Sequence, residues 1–106
     1  MLVTHEQLPE TWAVVYDAPC YLVSSLGRMH SSLRLGKMLR PTVTSKGFAV
    51  VTIVDPADPS RHSVELVHRI VAEAFLGRVR GKIVRHRNGN KLDNRAVNLE
   101  LISVQK

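Results

Sequence analysis

The sequence predicts an α+β fold: a small antiparallel sheet, one central helix and a carboxyl-terminal ββ hairpin. Three observations carry it. In the first sixty residues, short runs rich in β-branched and aromatic side chains, such as 20–25 (CYLVSS) and 48–54 (FAVVTIV), are separated by Gly and Pro punctuation. Leu66, Val67, Ile70, Val71, Ala74 and Phe75 then recur at the three-and-four spacing of a buried helical face. Beyond Gly77 come two more strand-forming stretches, 82–86 (KIVRH) and 98–102 (NLELI), joined by a loop over 87–97.

In chain order, residues 20–25 form a first strand and Gly27 punctuates it. Residues 28–35 (RMHSSLRL) resume an extended pattern up to a turn at Gly36-Lys37, which completes a hairpin. A further strand is expected over 38–44, then a Ser45-Lys46-Gly47 turn, then the strong strand 48–54. The stretch 55–60 (DPADPS) reads as a polar loop, so the first half is an antiparallel sheet of three to five strands. The period changes near Ser63, and one helix is expected from about Leu66 to Leu76, closed by Gly77. Ser63 and Leu66 make no capping box, so the start is fixed only to within a turn. Two units follow, 1–60 and 61–106, with no internal repeat and no low-complexity segment.

The 106 residues hold 15 Lys and Arg against 9 Asp and Glu, a net charge of +6, with a pI near 10.1. That balance points to a polyanionic partner, nucleic acid first; a solvated basic surface has the same composition. Cys20 stands alone, which excludes a disulfide framework or a cysteine zinc site within the chain and suits a reducing, cytoplasmic setting. The start, MLVTHEQLPETW, has no basic region followed by an apolar run. No segment approaches the ~20 apolar residues of a membrane span, so no membrane partner is expected.

The densest charge block lies between Arg78 and Arg95: Arg78, Arg80, Lys82, Arg85, Arg87, Lys91 and Arg95 against Asp93 alone. Cations clustered on one hairpin can neutralise several phosphates together, and these seven are the candidate nucleic-acid-binding residues. Aromatic residues are scarce there, which disfavours a stacking platform for single strands. Double-stranded DNA is the expected partner.

The segments LVSSLGRMHS, VHRIVAEAFLG and VRHRNGNKLDNRAVNLE, in that order, resemble the phage and intron-associated HNH homing endonucleases. Trp12 and residues 21–29 are similar to the small amino-terminal (NUMOD4-like) module often fused to them, and residues 61–106 to the HNH domain. The resemblance implies that the hairpin derives from a ββα-metal finger, in which a strand histidine polarises water for attack on phosphorus while a divalent metal stabilises the developing charge. It puts His86 at the general-base position, Asn94 at the position that braces the loop, and Asn98, Leu99 and Glu100 at the opening of the second strand.

Two departures fall on the metal. The family's ligating aspartate is replaced by Arg85, whose guanidinium has no lone pair to offer. The closing helix that carries the second ligand is expected to be missing, since the sequence stops at Lys106. No metal ligand is therefore assigned and no cofactor expected, with Mg or Mn required only if the chain cuts DNA. The leading expectation is a DNA-binding protein, phage-encoded, with a degraded metal site. An active endonuclease that completes its site by another route is the first alternative. A protein-binding inhibitor facing an acidic bacterial protein is the second, and oligomeric state is left open.

Other residues have plainer readings. His68 and Glu73 are five apart, which is not the spacing of a helical metal site, so His68 is taken as structural. His5, His30 and His62 are taken as surface residues, Cys20 as a small buried strand residue, and Trp12 and Phe75 as packing anchors. Ser24 and Ser25 can touch phosphates or build a turn.

Overall fold

The computed structural model describes residues 9–32 and 37–104. Strands β1 (Trp12–Val15), β2 (Ala18–Ser24), β3 (Met29–Ser31) and β4 (Lys37–Met38) form an antiparallel sheet in that order. Strands β5 (Thr42–Val43), β6 (Ala49–Val54) and β7 (His62–Leu66) form a second. Helix α1 (Val67–Phe75) follows β7 directly, and β8 (Lys82–His86) pairs with β9 (Leu99–Ser103). Among the described residues no helix is long and apolar enough to cross a membrane.

Local chemistry explains the turns. Asp17, between β1 and β2, has φ 63, a left-handed conformation that aspartate tolerates. Between β2 and β3, Ser24 Oγ accepts the N–H groups of Leu26 (3.2 Å) and Arg28 (3.1 Å), so this serine builds the turn. Ser25 Oγ accepts the N–H of Thr11 in the same way. Between β5 and β6, Thr44 Oγ1 accepts the N–H of Phe48 at 3.2 Å.

The α+β class holds, with corrections to the elements. The stretch 38–44 is two strands, because Pro41 has no N–H for a ladder; Lys37–Met38 pairs with β3 and Thr42–Val43 with β6. Lys37 therefore lies in a strand, and the readings placed on His5, on 33–35 and on Gly36 fall outside the described residues. Residues 62–66 are β7, paired with β6 from Val50↔Leu66 to Val54↔His62, so the helix begins at Val67. Strand β1 was not expected from sequence; it is held by pairing with β2.

The helix buries Val67, His68, Val71 and Ala72, whereas Ile70, Ala74 and Phe75 are half-buried against the same core. It touches β1, β2, β6, β8 and β9, so both sheets and the hairpin share one apolar centre. Met29, Leu99, Val23, Val67 and Val71 are essentially sealed from water there, each contributing about 1.5–3 kcal/mol of apolar burial. Tyr21, buried on β2, accepts the Val54 N–H through its hydroxyl at 3.0 Å and ties the two sheets together.

Candidate functional site

Strand β8 alternates. Val84 and His86 point inward, while Ile83, Arg85 and Arg87 point to solvent. His86 is 9% exposed, and its ring lies 5.0 Å from that of His68 and 6.4 Å from that of Phe48. Its Nε2 is 2.7 Å from Asn94 Oδ1. An amide oxygen can only accept, so Nε2 donates in this contact, and in the neutral ring Nδ1 is then the nitrogen with the lone pair.

Asn94 is itself buried and lies in a loop built by asparagines. Asn98 Nδ2 donates to Asn88 Oδ1 (3.0 Å) and to the Asp93 carbonyl (2.8 Å), while its Oδ1 accepts the Asn88 N–H (3.1 Å). Asn88 and Asn90 each accept the N–H two residues on, the side-chain turn that suits asparagine. The loop is also held from outside. Ala96 N–H donates to the Ser25 carbonyl at 2.8 Å, and Lys91 Nζ donates to the Lys46 carbonyl at 2.9 Å.

The predicted cations are placed unequally. Arg85 forms an ion pair with Glu100, its cross-strand partner, and Arg87 Nη1 is 3.6 Å from the same carboxylate. Arg95 holds Asp93 through Nε and Nη2, both at 2.8 Å. That pairing keeps the Asp93 carboxyl below the usual carboxylate range. Lys91 Nζ also lies over the Phe48 ring, 4.7 Å from its centre, and Arg78 over that of Tyr16 at 6.0 Å. Arg80 is exposed and Lys82 half-buried, with no ion pair among the described residues.

Sequence reasoning missed two neighbours of His86. Phe48 stacks on His68 with ring centres 5.2 Å apart. His68 is buried, its Nδ1 has no hydrogen-bond partner, and burial, then His86, then Arg69 push its pKa down to about 4. The structural reading of His68 stands, but beside the site. His30 is half-buried rather than on the surface, its ring edge-on to Trp12 at 6.0 Å; Cys20, on β2, is half-buried rather than buried, and His62 is exposed.

Residues 65–106 match the family model described as HNH endonuclease. These residues are similar to an HNH endonuclease domain. A Bacillus subtilis (strain 168) protein of the SPbeta prophage, YosQ, named as an HNH homing endonuclease, is 33% identical over 73 residues, which are 68% of this chain and 41% of YosQ. The solved structure of the HNH homing endonuclease I-HmuI, described for its DNA binding and cleavage, superposes with a TM-score of 0.77 at 27% identity. That match covers 88% of this chain and 52% of I-HmuI, so it takes in the sheets that precede residues 65–106 as well. The chain spans about half the length, or less, of these relatives. His86 and Asn94 both lie within the matched residues 65–106 and meet there.

Proposed function

We propose that this protein binds double-stranded DNA through the basic face around His86 and lacks the divalent-cation site of a cutting HNH enzyme. The observation that carries the reading is Arg85, one residue before His86. Its guanidinium faces solvent beside Arg87 and forms an ion pair with Glu100. A hard dication needs oxygen or imidazole donors, and here two guanidinium groups flank Glu100, the carboxylate opposite Arg85. Asp93, the other nearby carboxylate, is engaged by Arg95 on both oxygens. Among the described residues, the donors around Arg85 do not fit a divalent cation. A phage origin is supported by the prophage relative.

The duplex contacts assigned to this region are electrostatic, with Arg80 and Lys82, which form no ion pair among the described residues, as principal phosphate partners. The test is a gel shift at two salt concentrations beside a plasmid-nicking assay with magnesium, manganese and chelator. Salt-sensitive binding without nicking is expected. Absence of duplex binding at low salt would sink the reading.

A second reading, cleavage, is favoured by one observation: His86 keeps its Asn94 partner and an Nδ1 lone pair, the arrangement a general base needs. Nicking that requires magnesium or manganese and disappears in His86→Ala would establish it.

A further inference from the structure

We propose that Phe48, in the amino-terminal half, is a positioning residue for the His86–Asn94 pair, and that Lys91 is the latch that holds the hairpin loop against it. This rests on the reading of His86 as the side chain around which the site is built. Phe48 follows the Thr44–Gly47 turn, whose geometry is set by Thr44 Oγ1 on the Phe48 N–H. Its ring stacks on His68, and His68 in turn packs on His86. The imidazole thus meets a rigid aromatic column on one side and Asn94 Oδ1 on another. Neither neighbour on that column bonds it, so on that side the ring is oriented by packing and on the other by the Asn94 hydrogen bond.

The loop is fastened to the same turn. Lys91 Nζ reaches the Lys46 carbonyl and lies over the Phe48 ring, so one side chain grips both the backbone and the aromatic face. Lys91 lies three residues before Asn94, and Asp93 N–H to the Asn90 carbonyl makes the intervening chain a closed turn. Pulling Lys91 inward therefore sets where Asn94 Oδ1 sits, and through it which nitrogen of His86 carries the proton. The lysine that composition assigns to DNA is in this arrangement an intramolecular fastening on the surface.

The test reads the His86 tautomer in the full chain by long-range proton–nitrogen correlation, in the absence of DNA. The unsubstituted protein should show the Nε2–H form. Phe48→Leu and Lys91→Met should each lower the ratio of the Nε2–H to the Nδ1–H tautomer by about fivefold, the effect of weakening one hydrogen bond. Phe48→Tyr should restore it. If Phe48→Leu does not fold, Lys91→Met decides, since that side chain is on the surface. An unchanged ratio in the folded variants overturns the proposal, as does an unsubstituted protein that already populates both tautomers. Duplex affinity measured on the same samples is independent: lost tautomer control with intact binding, or the converse, separates this proposal from the proposed function.

Discussion

Arg85 and Glu100 stand directly opposite each other on β8 and β9 and form an ion pair on the outer face of the hairpin, with Arg87 beside them. The pair is half in solvent, so its own contribution to stability is small, within about 1 kcal/mol. Its consequence for function is larger. The guanidinium takes up the carboxylate opposite it on the hairpin, and that carboxylate in turn neutralises a cation that composition alone counts toward DNA binding.

Salt dependence should separate the cations that face DNA from those that do not. Arg80→Ala should make the logarithmic salt slope of duplex binding shallower by about 0.9, the loss of one phosphate contact. Arg85→Ala should change it by less, because Glu100 already holds that side chain. Equal slopes in both variants, measured by titration across salt, would show that the ion pair opens on binding.

Gly27 should tolerate no side chain. Its φ is +88, and a Cβ there would lie 3.0 Å from the carbonyl oxygen of Asn94 and 3.2 Å from its carbonyl carbon and its Cβ. Gly27→Ala should lose about 1–2 kcal/mol from the left-handed backbone alone, and more if Asn94 cannot retreat. Urea unfolding measures this. A variant as stable as the parent would show that the turn and the loop are not in contact in solution.

How far the site could be read from sequence follows from where its parts lie. His86 and Asn94 sit eight residues apart on one hairpin, inside a motif, and the loop between them announces itself by its asparagines and glycine. Phe48, His68 and Gly27 reach the same place only through the packing of the two sheets and α1, which leaves no local pattern. The residues of β7 show the same limit at the level of fold. HSVEL runs straight into the apolar VHRIVAEAF, and only pairing with β6 makes it a strand. The helical face shifted for a related reason: α1 is enclosed on several sides, so the small Ala72 and the aromatic His68 are buried where Ile70 was expected.

Stability should fall with acid in a window set by His68. Its folded pKa of about 4 lies below the ordinary value of 6.5, so between these the unfolded chain binds more protons than the native one and stability rises with pH. The contribution is complete above about pH 6.5 and lost as pH falls toward 4. It amounts to roughly 2–3 kcal/mol. Asp93, held low by Arg95, adds a loss at still lower pH. Denaturant midpoints from pH 7.5 to 4 should show the slope, and His68→Phe, which cannot protonate, should flatten it above pH 4.5. An equally steep fall in that variant would mean another group carries the dependence.

The decisive prediction concerns the cation. In the unmodified protein, magnesium or manganese should neither raise the melting temperature nor switch on nicking, since a ligand that binds the native state must stabilise it. Arg85→Asp reverses the local chemistry by setting a carboxylate directly across from Glu100. Without metal, two like charges facing each other should destabilise the hairpin by roughly 0.2–1 kcal/mol. With manganese the same pair becomes a set of hard oxygen donors, so the loss should be recovered as a metal-dependent rise in melting temperature. Adding Glu100→Gln should abolish that rise. If the variant also nicks plasmid DNA, the activity should vanish on His86→Ala, because the lone pair that activates water would be gone. Should the unmodified protein already cut with magnesium and lose this on His86→Ala, the arginine does not close the site, and the cation is held by donors other than Glu100 and Asp93.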